Sequence, residues 1–98
     1  MKKIALLATI VAATSFNANA FDVEAKYSQT CSICHSVGVA GAPKAFDKAA
    51  WEPRLALGMD AMVASVKNGK NAMPPKGLCN DCTDDQYKAL ITHMATSK

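Results

Sequence analysis

Cys31-Ser32-Ile33-Cys34-His35 constrains this chain more than any other stretch. Two thiols spaced about one helical turn apart reach the two vinyl groups of a single porphyrin as thioethers, and the next residue brings an imidazole under the iron. A zinc knuckle or a redox dithiol uses the cysteine pair but leaves the adjacent histidine without a task. The pentapeptide therefore predicts one covalently held haem c, with His35 as an iron ligand. A chain that carries such a group must fold as a shell around it.

The N-terminus reads as an address. Met1-Lys2-Lys3 is a short positive segment, Ile4 to Ala13 is apolar, and Ala18-Asn19-Ala20 fits the small-x-small cleavage rule. The apolar run falls short of the roughly 20 residues that a membrane span needs. Phe21, where a lipid anchor would need a cysteine, points the same way. Residues 1–20 are expected to be a removed signal peptide, leaving residues 21–98 as one exported domain with no membrane anchor. Export to the periplasm also permits disulfides. A domain of that size builds a small apolar core, so a staple is expected, and a buried porphyrin is one. Losing Lys2 and Lys3 from 11 basic residues leaves nine against 8 acidic ones, too even a balance for nucleic-acid binding.

Along the chain, the pattern is helical, with no useful strand alternation. Asp22 can cap a helix from Val23, and Val23, Tyr27, Cys31 and Cys34 share one face. Ser36 to Lys44 holds Gly38, Gly41 and Pro43 and reads as loop. The carbonyl of Pro43 can hold the second ring nitrogen of His35, or Pro43 is an ordinary turn proline. Asp47 caps a short turn to Trp51; Pro53 then suits the first turn of a separate helix over Glu52–Leu57. Trp51 and Arg54 are either hydrogen-bond donors to a haem propionate or a core indole and a solvated cation. Met59, Met62, Val63 and Val66 form a stripe on a helix that stops near Asn68-Gly69.

Asn71-Ala72-Met73-Pro74-Pro75-Lys76-Gly77 cannot be helix, because prolines follow the methionine directly. A thioether on a loop stiffened by prolines suits a second iron ligand, and Met73 is predicted in that role. Cys79-Asn80-Asp81-Cys82 lacks the histidine of a second haem site, since Thr83 follows. It reads as a disulfide that steers the chain between the Met73 loop and the last helix, or as a redox dithiol. Thr83 to Gln86 is a capping box, and Tyr87, Leu90, Ile91 and Met94 form the stripe of that helix. His93 lies off the stripe and reads as a flanking residue.

These segments together resemble the small class I c-type cytochromes, and within them the bacterial cytochrome c5 group. The resemblance spans the mature chain and rests on Cys31 to His35, Gly38 to Lys44, Asp47 to Arg54, Asn71 to Pro75, and the pair Cys79 and Cys82. It implies an all-α fold of four to five short helices wrapped around one covalent haem. It also implies iron between His35 and Met73, a Pro43 carbonyl orienting His35, and a Cys79–Cys82 disulfide. The departure is Leu78, where many members carry a second glycine.

With both axial positions filled, such a site moves single electrons and does no bond chemistry, so no enzyme is expected. Family analogy gives quinol–cytochrome c reductases as donors, and terminal oxidases or periplasmic reductases and peroxidases as acceptors. Lys44, Lys67, Lys70 and Lys76 can rim the exposed haem edge or be plain solvated lysines. A monomer or weak dimer is expected. Two rivals remain: a zinc module on Cys31, Cys34, Cys79 and Cys82, and a haem enzyme or gas sensor with Met73 off the iron.

Overall fold

Local capping rules fix where the helices begin. In the computed structural model, which describes residues 21–96, the Asp22 carboxylate accepts from the Ala25 N–H at 3.1 Å and opens α1, Val23–Gln29. The leader read in residues 1–20 lies outside the described residues. α1 does not run on through the cysteine motif as its stripe suggested. The backbone breaks at Thr30 (φ −125°, ψ −75°), whose hydroxyl donates to the Lys26 carbonyl at 2.8 Å, and α2 restarts at Ser32–His35. A side chain that supplies its own hydrogen bond to the previous turn competes with the helix ladder.

Asp47 caps α3, Lys48–Leu55, by accepting from the Ala50 N–H at 3.3 Å. The two short pieces expected here are one helix with Pro53 inside it. At the sixth position Pro53 deprives only the Ala49 carbonyl of a donor. That loss is outweighed by Trp51, which is 4% exposed and anchors the helix to the core. α4, Met59–Asn68, lies between Gly58 and Gly69, both at positive φ. α5, Asp84–Ala95, starts in a full capping box: Gln86 N–H donates to Thr83 Oγ1 at 3.2 Å and Thr83 N–H to Gln86 Oε1 at 2.9 Å. Among the described residues there is no strand, only an isolated antiparallel bridge between Lys70 and Met73.

α5 is the back wall. It packs on α1, α3 and α4, and its stripe of Tyr87, Leu90, Ile91 and Met94 is buried. Leu90 and Ile91, each 2% exposed, contribute about 1.5–3 kcal/mol apiece by burial. Two hydrogen bonds fasten loops to this wall: Phe46 N–H donates to the Met94 carbonyl at 2.7 Å, and Tyr87 O–H donates to the Cys79 carbonyl at 2.7 Å. Cys79 and Cys82 form a disulfide, and Lys26 pairs with the neighbouring Asp81 at 3.3 Å. His93 is more than a flanking residue. Its ring stands edge-on to Tyr27 and to Phe46, with centroids 5.2 Å away in each case, closing the seam between α1 and α5. No helix among the described residues is long and apolar enough to cross a membrane.

Candidate functional site

The cysteine motif opens on a cavity of about 220 Å³ between the helices, and Cys31, Cys34 and His35 all line it. Both thiols are free. Burial pushes the Cys31 thiol above its ordinary range, against a smaller pull from the Thr30 hydroxyl. Cys31 therefore rests as a neutral thiol beside apolar walls.

His35 is 7% exposed, and the loop that follows holds its ring. Its Nδ1 lies 2.8 Å from the Pro43 carbonyl oxygen. A carbonyl only accepts, so Nδ1 carries the proton and Nε2 carries the lone pair. The Ala45 N–H donates to the His35 carbonyl at 2.7 Å, which folds the loop back over its own start. Trp51 closes the site from α3. Its ring lies 5.5 Å from the imidazole, tilted by 33°, and its indole N–H donates to the Lys44 carbonyl at 2.9 Å. Trp51 thus buttresses the histidine loop, with its N–H taken by backbone. Arg54 also lines the cavity, and its Nη1 donates to the Ala50 carbonyl at 2.7 Å.

The Met73 loop forms another wall of the cavity. Its backbone is pinned by a reciprocal pair, Met73 N–H to the Lys70 carbonyl at 2.9 Å and Lys70 N–H to the Met73 carbonyl at 3.1 Å. The loop is crowded at two glycines, against backbone at Gly69 and against the flexible end of the Met73 side chain at Gly77. A Cβ at Gly69 would meet the Met73 carbonyl oxygen at 3.0 Å, and a Cβ at Gly77 would meet Met73 Cε at 2.9 Å. Gly77→Ala is expected to push the thioether out of place. Overpacking of this kind costs about 1–3 kcal/mol, so the denaturation midpoint should fall; an unmoved midpoint would show that the loop yields freely.

Between these walls the lining is mostly apolar, including Met62, Val66, Ile91 and Met94. A flat apolar group bearing a metal fits this site: an imidazole lone pair with no partner among the described residues, free thiols at helical spacing and a thioether loop all border one cavity. A zinc module on Cys31, Cys34, Cys79 and Cys82 does not fit, because the last two are bonded to each other. Of the lysines expected at the rim, Lys70 lines the cavity, whereas Lys67 turns to Asp84 at 3.0 Å. Sequence reasoning missed the apolar rim of Val39, Leu57 and Leu78. Each sits in a loop or at a helix end, where periodicity carries no signal.

Known proteins share this arrangement. A family model described as cytochrome c oxidase, cbb3-type, subunit III matches residues 18–94. The chain is 49% identical to cytochrome c5 of Azotobacter vinelandii over 76 residues, covering 76% of this chain and 88% of that one. A mono-haem ferrocytochrome c from Shewanella putrefaciens superposes with a TM-score of 0.71 at 58% identity, over 83% of this chain and all of the other. A cytochrome c solved in an electron transfer complex with nitrite reductase gives 0.66 at 44% identity, covering 74% of this chain and 88% of that one.

Proposed function

Since the chain belongs to the class I monohaem cytochromes c, we propose that His35 and Met73 would hold its haem iron. The protein is a c-type electron carrier and not an enzyme. The haem, when bound, supplies an iron centre that gains and loses one electron. The chain's own residues set the conditions. Cys31 and Cys34 attach the porphyrin as thioethers. The Pro43 carbonyl holds the Nδ1 proton of His35, which keeps Nε2 available as a donor and stops the ring from turning. The Lys70–Met73 pair and the glycines at 69 and 77 hold the thioether in place. Trp51, Met62, Ile91 and Met94 exclude water, and Arg54, which lines the cavity, would supply a cation to a propionate. Two protein ligands leave no position for a substrate or dioxygen, which disfavours the enzyme or sensor reading.

The single observation that carries this proposal is the His35–Pro43 hydrogen bond at 2.8 Å, which leaves an imidazole nitrogen with no partner among the described residues in a cavity also bordered by Met73.

Residues 1–20 would be removed on export, and the mature domain would work in the periplasm. Quinol–cytochrome c reductases are the donors by class, with terminal oxidases and periplasmic reductases or peroxidases as acceptors. The likeness to a cytochrome c complexed with nitrite reductase adds that enzyme class to the acceptors. Mass spectrometry of the exported protein should show the chain from Phe21 plus one haem, with sharp reduced bands of a low-spin c-type haem. A polypeptide with no added haem mass would overturn the proposal.

A further inference from the structure

Between Met73 and the disulfide the backbone turns left-handed at three successive residues: Lys76, Gly77 and Leu78 stand at φ 70°, 54° and 72°. Glycine takes such angles freely, but lysine and leucine are strained there. Strain of this kind persists only where the surroundings over-determine the backbone. Two hydrogen bonds close the turn on itself, Gly77 N–H to the Pro74 carbonyl at 3.0 Å and Cys79 N–H to the Lys76 carbonyl at 2.8 Å. They travel with the turn and do not tie it to the rest of the protein.

The turn lies on α4, but the packing behind it is incomplete. A second cavity, of about 20 Å³, is bordered by Met73, Gly77, Cys79 and Tyr87. Atoms that face a void lose their dispersion contacts on that side, so the place of the thioether depends on how the loop is fastened at its ends. One end is held by the reciprocal Lys70–Met73 pair. The other end is Cys79, 2% exposed, whose carbonyl accepts from the Tyr87 hydroxyl on α5 at 2.7 Å. The same carbonyl accepts from Cys82 N–H at 3.3 Å, but that bond, like the disulfide, stays within the loop. Lys26 reaches Asp81 from α1, yet Asp81 is exposed, and a surface ion pair contributes little.

We propose that Tyr87 is a positioning residue for Met73: its hydroxyl, through the Cys79 carbonyl, latches a strained turn whose opening lets the thioether leave the iron. This rests on the assignment of Met73 to the iron made above. The phenol ring is buried in the α5 stripe whether or not it carries an oxygen, so the oxygen's task is the turn and not the core. Loops open locally, without global unfolding, and the latch sets how often this one does.

The test uses oxidised holoprotein as wild type, Tyr87→Phe and Thr83→Ala. Phenylalanine keeps the buried ring and removes the oxygen alone. Alanine at 83 breaks the capping box of α5 but leaves the Tyr87–Cys79 bond in place. Each protein is mixed with imidazole in stopped flow, and loss of the methionine–iron band reports exchange of the thioether for a nitrogen ligand, with no change in iron oxidation state. At saturating imidazole the rate is set by departure of the thioether. Tyr87→Phe should react about three- to tenfold faster, the worth of one buried hydrogen bond read as a rate. Thr83→Ala should stay within about twofold of wild type, although its denaturation midpoint falls. The Cys79 amide proton, followed by NMR, should exchange faster in Tyr87→Phe by a similar factor, because it is freed when the turn opens. An unchanged imidazole rate in Tyr87→Phe, or equal acceleration in Thr83→Ala, would overturn the latch, as would a Cys79 amide that exchanges as in wild type. A wild-type protein with no methionine–iron band would instead reject the assignment of Met73 to the iron.

Discussion

Replacing Met73 with alanine should remove the methionine–iron band of the oxidised protein and lower its potential by a few tenths of a volt, within the roughly 0.8 V that axial ligation commands. A thioether favours ferrous iron, and alanine offers nothing in its place. The effect should stay local, because the loop is held by main-chain bonds between Lys70 and Met73 that the substitution leaves intact. Met62→Leu is the matching control: Met62 also lines the cavity but is buried in the core on α4, so its loss should leave the band in place. Spectroelectrochemical titration of both variants reads the outcome. A Met73→Ala protein that kept band and potential would remove Met73 from the iron.

The second large effect is on stability. Trp51→Ala should cost about 3–5 kcal/mol, the usual range for truncating a buried aromatic. In a domain whose whole stability is of order 5–15 kcal/mol, that loss approaches unfolding. The indole is 4% exposed, stands 5.5 Å from His35, and satisfies the Lys44 carbonyl. Trp51→Phe keeps most of the packing and loses one hydrogen bond, since the Lys44 carbonyl still accepts from the Asp47 N–H at 3.2 Å, and should cost about 0.5–1.5 kcal/mol. Guanidinium unfolding followed by haem absorbance separates the two. Equal midpoints for wild type and Trp51→Ala would mean that another group holds the histidine loop.

What the sequence revealed divides along physical lines. Caps are local, so Asp22, Asp47 and Thr83 announced their helices correctly. The α5 stripe was legible because one buried face imposes its period. The cysteine motif was legible because its chemistry requires fixed spacing, and the Met-Pro-Pro stretch was legible as loop because a proline bars helix at the residue before it. The failures share a cause too. Residues on one face keep their offsets across a short break, so the stripe from Val23 to Cys34 concealed the interruption at Thr30. Pro53 argued for two helices, but a proline's cost depends on what anchors the turns around it, and Trp51 does so through a contact outside the helix. His93 looked peripheral because its partners come from elsewhere. Phe46 reaches it through a backbone at φ 69°, and no propensity predicts that for phenylalanine.

The back wall has one more consequence. The segment behind His35 hangs from α5 by Phe46 on Met94, and the segment behind Met73 hangs from it by Tyr87 on Cys79. Both walls of the cavity therefore share a single keel. If that helix melts, the two loops lose their mooring together, so thermal damage should arrive as one cooperative failure rather than loop by loop.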